Sequence, residues 1–146
     1  MALRTLWIKI DLPLKRSSAA VLSERMATRS STTRRAMACA LDQLAALEKL
    51  NTKWKDQGRP ELGVGIGINF GEVFAGNIGS DRRLEYTVIG DAVNTASRLC
   101  RTAGPNEILV SEAFYQQLKK PPKVEALDPI HVKGKSKKVL VYRVKR

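Results

Sequence analysis

The strongest periodicity in the chain runs over residues 34–57. Met37, Ala40, Leu41, Leu44, Leu47, Leu50 and Trp54 recur at spacings of three and four, which puts them on one stripe of a helix. Asp42, Gln43, Glu48, Lys49, Lys53 and Lys55 face the other way, and Gly58 with Pro60 ends the pattern. The period then drops to two. Val64, Ile66 and Ile68 alternate with Gly63, Gly65 and Gly67, which predicts a strand; Gly71 breaks it, and Val73 and Phe74 open a second strand that runs to Ile78. Glycine at every second position leaves one strand face bare. Such a face suits the close approach of a helix or a second backbone, or leaves room for a ligand. A phosphate-cradling loop is a poor fit, because no Lys-Ser/Thr follows the glycines and no helix starts there.

A polar loop, Gly79 to Arg83, leads into the stretch around which the rest is organised. Tyr86 to Ile89 reads as a short strand. Gly90 interrupts it, and Asp91 can cap a helix by accepting backbone N–H groups at the positive helix end. Val93, Ala96, Leu99 and Cys100 then recur at helical spacing, and Gly104-Pro105 stops the helix with glycine free to turn left-handed. Asn94 and Arg98 are four residues apart, so an amide and a guanidinium share a face away from the apolar one. That pair is either solvated surface or a seat for an anionic, hydrogen-bonding ligand such as a phosphate or ribose. Further on, Glu107 to Val110 reads as a buried strand and Ser111 as the N-cap of a helix to about Leu118. Two final strands, Ile130 to Val132 and Val139 to Val144, flank the lysine-rich loop Lys133 to Lys138. Strands alternating with helices imply an α/β or α+β sandwich.

Length and charge narrow this picture. A chain of 146 residues with 43% apolar content can build one domain with a core, and no apolar run is long enough to span a membrane. One histidine and two cysteines leave no His/Cys metal cluster, and Cys39 and Cys100 both sit in apolar helical patterns that predict buried thiols. The net charge of +12 invites a nucleic-acid reading, but residues 1–35 carry +6, residues 119–146 carry +8 and the middle carries −2. A basic stripe with interleaved aromatics is missing, so no nucleic-acid partner is expected. Residues 1–33 are Arg-, Ser- and Thr-rich with little periodicity beyond the apolar run Leu6 to Ile10. They read as an atypical leader, disordered or out of frame, ahead of a domain at 34–146.

Three blocks in order carry a family resemblance. They are Gly65-Ile66-Gly67-Ile68-Asn69-Phe70-Gly71-Glu72-Val73, then Asn77-Ile78-Gly79-Ser80 with Tyr86 to Arg98, then Val132-Lys133-Gly134-Lys135. Together they resemble the C-terminal half to two-thirds of a class III adenylate/guanylate cyclase catalytic domain of bacterial type. The resemblance implies a ferredoxin-like α/β sandwich, incomplete at the N-terminal side, that pairs head to tail with a second copy or another cyclase domain. It implies ATP, less readily GTP, as substrate, a 3′,5′-cyclic nucleotide and pyrophosphate as products, and a cytoplasmic setting. It assigns catalytic roles to Asn94, which orients the ribose, and Arg98, which stabilises charge on the reacting phosphate. It assigns nucleotide binding to Thr87, at the base-selecting position, and Lys133, at the terminal phosphates.

The departures from the family pattern matter as much. The family holds Mg²⁺ or Mn²⁺ with two aspartates, one in a strand reading roughly Phe-x-Asp-Ile-x-Gly-Phe-Thr and one in a Gly-Asp-x-x-Met-Ala hairpin. Neither motif is present; Asp11 lacks the following glycine and aromatic, so no metal ligand is assigned. Two functional expectations follow: a cyclase-type domain inactive alone, or a non-catalytic homology module that pairs with a complete cyclase. A basic nucleic-acid binder, a third expectation, would rest on charge alone.

Overall fold

The computed structural model describes residues 2–11, 18–23, 29–80, 83–130 and 138–146, with side chains for 32–74, 76, 88–130 and 138–146. The amphipathic stretch forms helix α1 (Arg29–Asp56), which begins before the predicted start near Arg34 and ends ahead of Gly58, where φ is +67°. Ala36, Met37, Ala40 and Leu44 are buried along it, while Leu41 and Leu47 pack at the margin. Leu50, placed on the stripe by its spacing, is exposed; the buried line turns instead through Asn51. The Asn51 amide donates to Leu62 O (2.8 Å) and its carbonyl accepts from Leu62 N (3.0 Å), which staples the helix end to the chain entering the sheet.

Seven strands form one mixed sheet among the described residues. They are β1 (Ala2–Asp11), β2 (Ser18–Ser23), β3 (Gly65–Ser80), β4 (Arg83–Ile89), β5 (Ile108–Ser111), β6 (Val124–Ile130) and β7 (Val139–Val144). Helices α2 (Asp91–Thr102) and α3 (Glu112–Tyr115) complete the order. The strand sequence across the sheet is β2-β1-β3-β5-β7-β6, with β4 added to the far end of β3. Only β3 and β5 run parallel, through a crossover that contains α2; the remaining pairs are antiparallel.

Strand β3 is continuous where a break at Gly71 was expected. It runs 16 residues and changes partner at Phe74, from β1 to β4. Gly71 is tolerated inside the strand because it pairs Thr5 of β1 on one side while its bare face is covered by α2. Residues 1–33, set apart above as a leader, contribute β1 and β2 in the structure; β1 pairs β3 from Ala2–Phe74 to Asp11–Gly65. The penultimate strand begins at Val124, earlier than Ile130, and residues 131–137 lie outside the described residues.

The two-residue period sorts the side chains of β3 and β5 between two layers. Ile66, Ile68, Ile108 and Val110 face α1 and α3, where they meet Met37, Leu44, Val64, Phe114 and Val144. Leu109 points the other way, with Val141, onto Leu99 of α2. Fully burying one such aliphatic side chain is worth about 1.5–3 kcal/mol, and among the described residues the first layer holds the larger apolar cluster. Ser111 caps α3 as expected, its hydroxyl accepting from Phe114 N (3.2 Å). The thiols divide: Cys100 is buried, but Cys39 is exposed, because the buried line of α1 passes through Ala36 and Ala40 on the other side.

Candidate functional site

Helix α2 starts where β4 ends, and glycine makes the corner. Gly90 has φ +156° and ψ 165°, a conformation that L side chains rarely adopt, and a Cβ there would also meet Glu72 O at 3.2 Å. Gly90 is itself the N-cap residue. Asp91, expected to cap by its side chain, is the first helical residue instead, and the cap makes no side-chain hydrogen bond. Its carboxylate still lies in the first turn, at the positive helix end. The backbone closes by Val93 N and Asn94 N donating to Gly90 O (3.2 and 3.3 Å). At the other end, Ala103 is extended and its N–H donates to Leu99 O; Gly104 has no positive φ and instead opens a turn, closed by Glu107 N donating to Gly104 O (3.2 Å), in which Asn106 takes the left-handed conformation (φ +61°).

The helix is seated on the bare face of β3. A Cβ on Gly67 would overlap Cys100 N and lie 2.5 Å from Ala96 O. One on Gly71 would lie 2.8 Å from Ala92 Cβ, and one on Gly65 would lie 3.0 Å from Ala103 O. The alternating glycines are therefore the track of a helix backbone, the first of the two roles the sequence left open. Two polar groups fasten it. Asn69, 4% exposed, donates from Nδ2 to Ala92 O (3.0 Å), and the Cys100 thiol donates to Gly65 O (3.3 Å). Ala92, Thr95, Ala96, Leu99 and Cys100 are buried against the sheet; Val93, counted among the apolar positions, is only half-buried.

With that face fixed, Asn94 and Arg98 project to solvent from the opposite side, as their spacing predicts. An open cavity of about 270 Å³ lies beside the last turns of the helix, lined by Arg98, Arg101, Thr102 and Ile130. Thr102 donates its hydroxyl back to Arg98 O (3.0 Å), so the chemistry of the lining is that of two guanidinium groups beside an apolar wall. Thr87 lies on β4 opposite Gly76, with its side chain outside the described set. Lys133 lies outside the described residues.

Asn69 and Arg101 were not singled out from sequence, though both leave a signal. Asn69 is the one polar residue in the register Gly65, Gly67, Asn69, Gly71, and Arg101 stands three residues beyond Arg98. Among the described residues no group of three or more His, Cys, Asp or Glu side chains could hold a metal ion. No described helix is long and apolar enough to cross a membrane.

Residues 20–146 match the profile of the adenylate and guanylate cyclase catalytic domain. An adenylate cyclase of Anabaena cylindrica is 38% identical over 121 residues, which covers 73% of this chain and 24% of that protein. Adenylate cyclase 1 of Rhizobium meliloti is 36% identical over 111 residues, again 73% of this chain but 16% of the relative. The chain thus spans about a quarter or less of these curated relatives. The crystal structure of the adenylyl cyclase CyaB from P. aeruginosa superposes with a TM-score of 0.88 at 22% identity, covering 100% of this chain and 95% of that one.

Proposed function

Because the chain belongs to the adenylate and guanylate cyclase catalytic-domain family, we propose that it works as the phosphate-gripping part of an adenylate cyclase. In that reaction the ribose 3′-oxygen of ATP bonds to the α-phosphorus, the hydroxyl loses its proton and pyrophosphate leaves. Asn94 orients the ribose through its amide. Arg98 neutralises charge that grows on the α-phosphate, as a fixed fork of N–H donors pre-aimed at the transition state. Thr87 accepts from the adenine amino group, and Lys133 holds the terminal phosphates. The setting is cytoplasmic, where ATP is available.

One observation carries this reading. Asn94 and Arg98 lie on the outward face of a helix whose inward face is locked to β3 by backbone contact and by Asn69. Mg²⁺ or Mn²⁺ belongs to the family chemistry, yet the described carboxylates do not form a metal-binding group. In this reading the chain, whose sequence carries neither metal-aspartate motif, acts in a dimer with a complete cyclase domain that supplies the carboxylates, and it is inactive alone. Phe74 and Ile89, cross-strand neighbours that are 61% and 51% exposed, offer an apolar pair against which a partner would pack. The same carboxylate pattern favours a second reading, in which the chain is a non-catalytic module that only dimerises.

The test mixes the purified chain with a complete cyclase domain whose Arg98 equivalent has been replaced, in Mg²⁺ or Mn²⁺, and measures cyclic AMP. Rescue of turnover is expected, with silence from either protein alone. Arg98→Ala in this chain should lower the rescued rate by about 10²–10³-fold with little change in thermal stability. Rescue that survives Arg98→Ala would leave the module reading.

A further inference from the structure

The cavity beside Arg98 carries a second cation that the family resemblance does not assign. We propose that Arg101 is a further phosphate-binding residue of the same site, so that Arg98 and Arg101 together take the polyphosphate chain of the nucleotide. This rests on the nucleotide reading above. It adds a residue to that reading, with its own test.

Three features of the structure lead to it. Arg98 and Arg101 are three residues apart on α2, neighbours on the helix surface, and both line the same cavity of about 270 Å³. Among the described residues no carboxylate lines the cavity, and none forms an ion pair with Arg101. The wall is held in place. Ile130 packs on Leu99, Leu109 and Val141 while it also faces the cavity, and the Thr102 hydroxyl is tied to Arg98 O, which keeps the last helical turn closed beneath Arg101. A triphosphate, with several charges spread along its length, needs more than one guanidinium. The bland role for Arg101 is to complement the negative end of the helix, which would affect stability and not ligand affinity.

The experiment is calorimetric titration of the full chain with tripolyphosphate and, in parallel, with ATP, at fixed ionic strength. Arg101→Gln should weaken both ligands by about 10- to 100-fold, the loss expected for one charge-assisted contact. Arg101→Lys should recover only part of this, because it restores the charge without the fork. Lys119→Gln, a charge removed from an exposed position that does not line the cavity, should change neither affinity by more than about twofold, since exposed charges are screened by salt. Thermal melts of all variants report whether Arg101 acts through the helix instead. If Arg101→Gln behaves like Lys119→Gln while the wild-type chain binds ATP, the inference falls and the nucleotide reading stands. If the wild-type chain binds neither ligand, both fall. If tripolyphosphate and ATP bind equally well and both depend on Arg101, the anion seat stands and the nucleotide reading falls.

Discussion

The two faces of this sheet are packed by opposite means. Toward α1 and α3, the even-numbered residues of β3 present isoleucines that meet Leu44, Phe114 and Val144, so the layers are held apart by the bulk of their side chains. Toward α2, the odd-numbered residues are Gly65, Gly67, Asn69 and Gly71, and the helix backbone sits directly on the strand. Side-chain packing stabilises and can be repacked; backbone-on-backbone contact leaves nothing to repack. The helix that carries Asn94 and Arg98 is on the face that cannot adjust. Stability and placement of the site are thus assigned to different layers.

The largest expected effect tests the first half of that contrast. Phe114→Ala removes a fully buried ring from the α1 layer and should cost about 3–5 kcal/mol in chemical denaturation, while the fraction still folded binds ATP unchanged. Loss of affinity in folded protein would mean that the two layers are coupled. Next comes Gly67→Ala, which adds one methyl under α2. It should cost about 1–3 kcal/mol and, in the folded protein, lower ATP affinity, since the new Cβ overlaps Cys100 N and the helix must shift. A stability loss with unchanged affinity would show that α2 can lift without moving its outer face. The smallest change is Asn69→Leu. It removes one buried hydrogen bond whose acceptor, Ala92 O, is a helical carbonyl, and should cost about 1 kcal/mol. Amide exchange should then speed up in the first turn of α2 and nowhere in α1; uniform acceleration would make Asn69 a general core residue.

Much of this division was legible in the sequence. The apolar stripe of α1, the bare strand face, the corner at Gly90 and the outward pair Asn94–Arg98 follow from periodicity and from the conformations open to glycine. The failures have physical causes. Gly71 looked like a break because glycine ends isolated strands; in the sheet its missing side chain is what lets Ala92 fit. Asp91 looked like a cap because its carboxylate can accept N–H groups, but Gly90 takes the cap position and leaves Asp91 one residue into the helix. Cys39 looked buried because its neighbours are apolar, yet the helical period carries it to the exposed side. Asn69 went unremarked because a polar residue within a strand gives no local sign of the distant carbonyl it meets.

Strand β3 has a consequence for the order in which the chain can fold. Its last residues pair β4 at short sequence separation, Ser80 opposite Arg83, a contact that can form within microseconds. Its first residues pair β5 in parallel, Ile66 opposite Ile108, about 40 residues away, and β1 at a greater distance still. Closing such loops costs chain entropy before any contact repays it. The hairpin at one end of β3 is therefore a local event, and the seat of α2 at the other end is a late one. Until β5 arrives, an edge of β3 is open to any passing strand, and aggregation during expression should compete at that step.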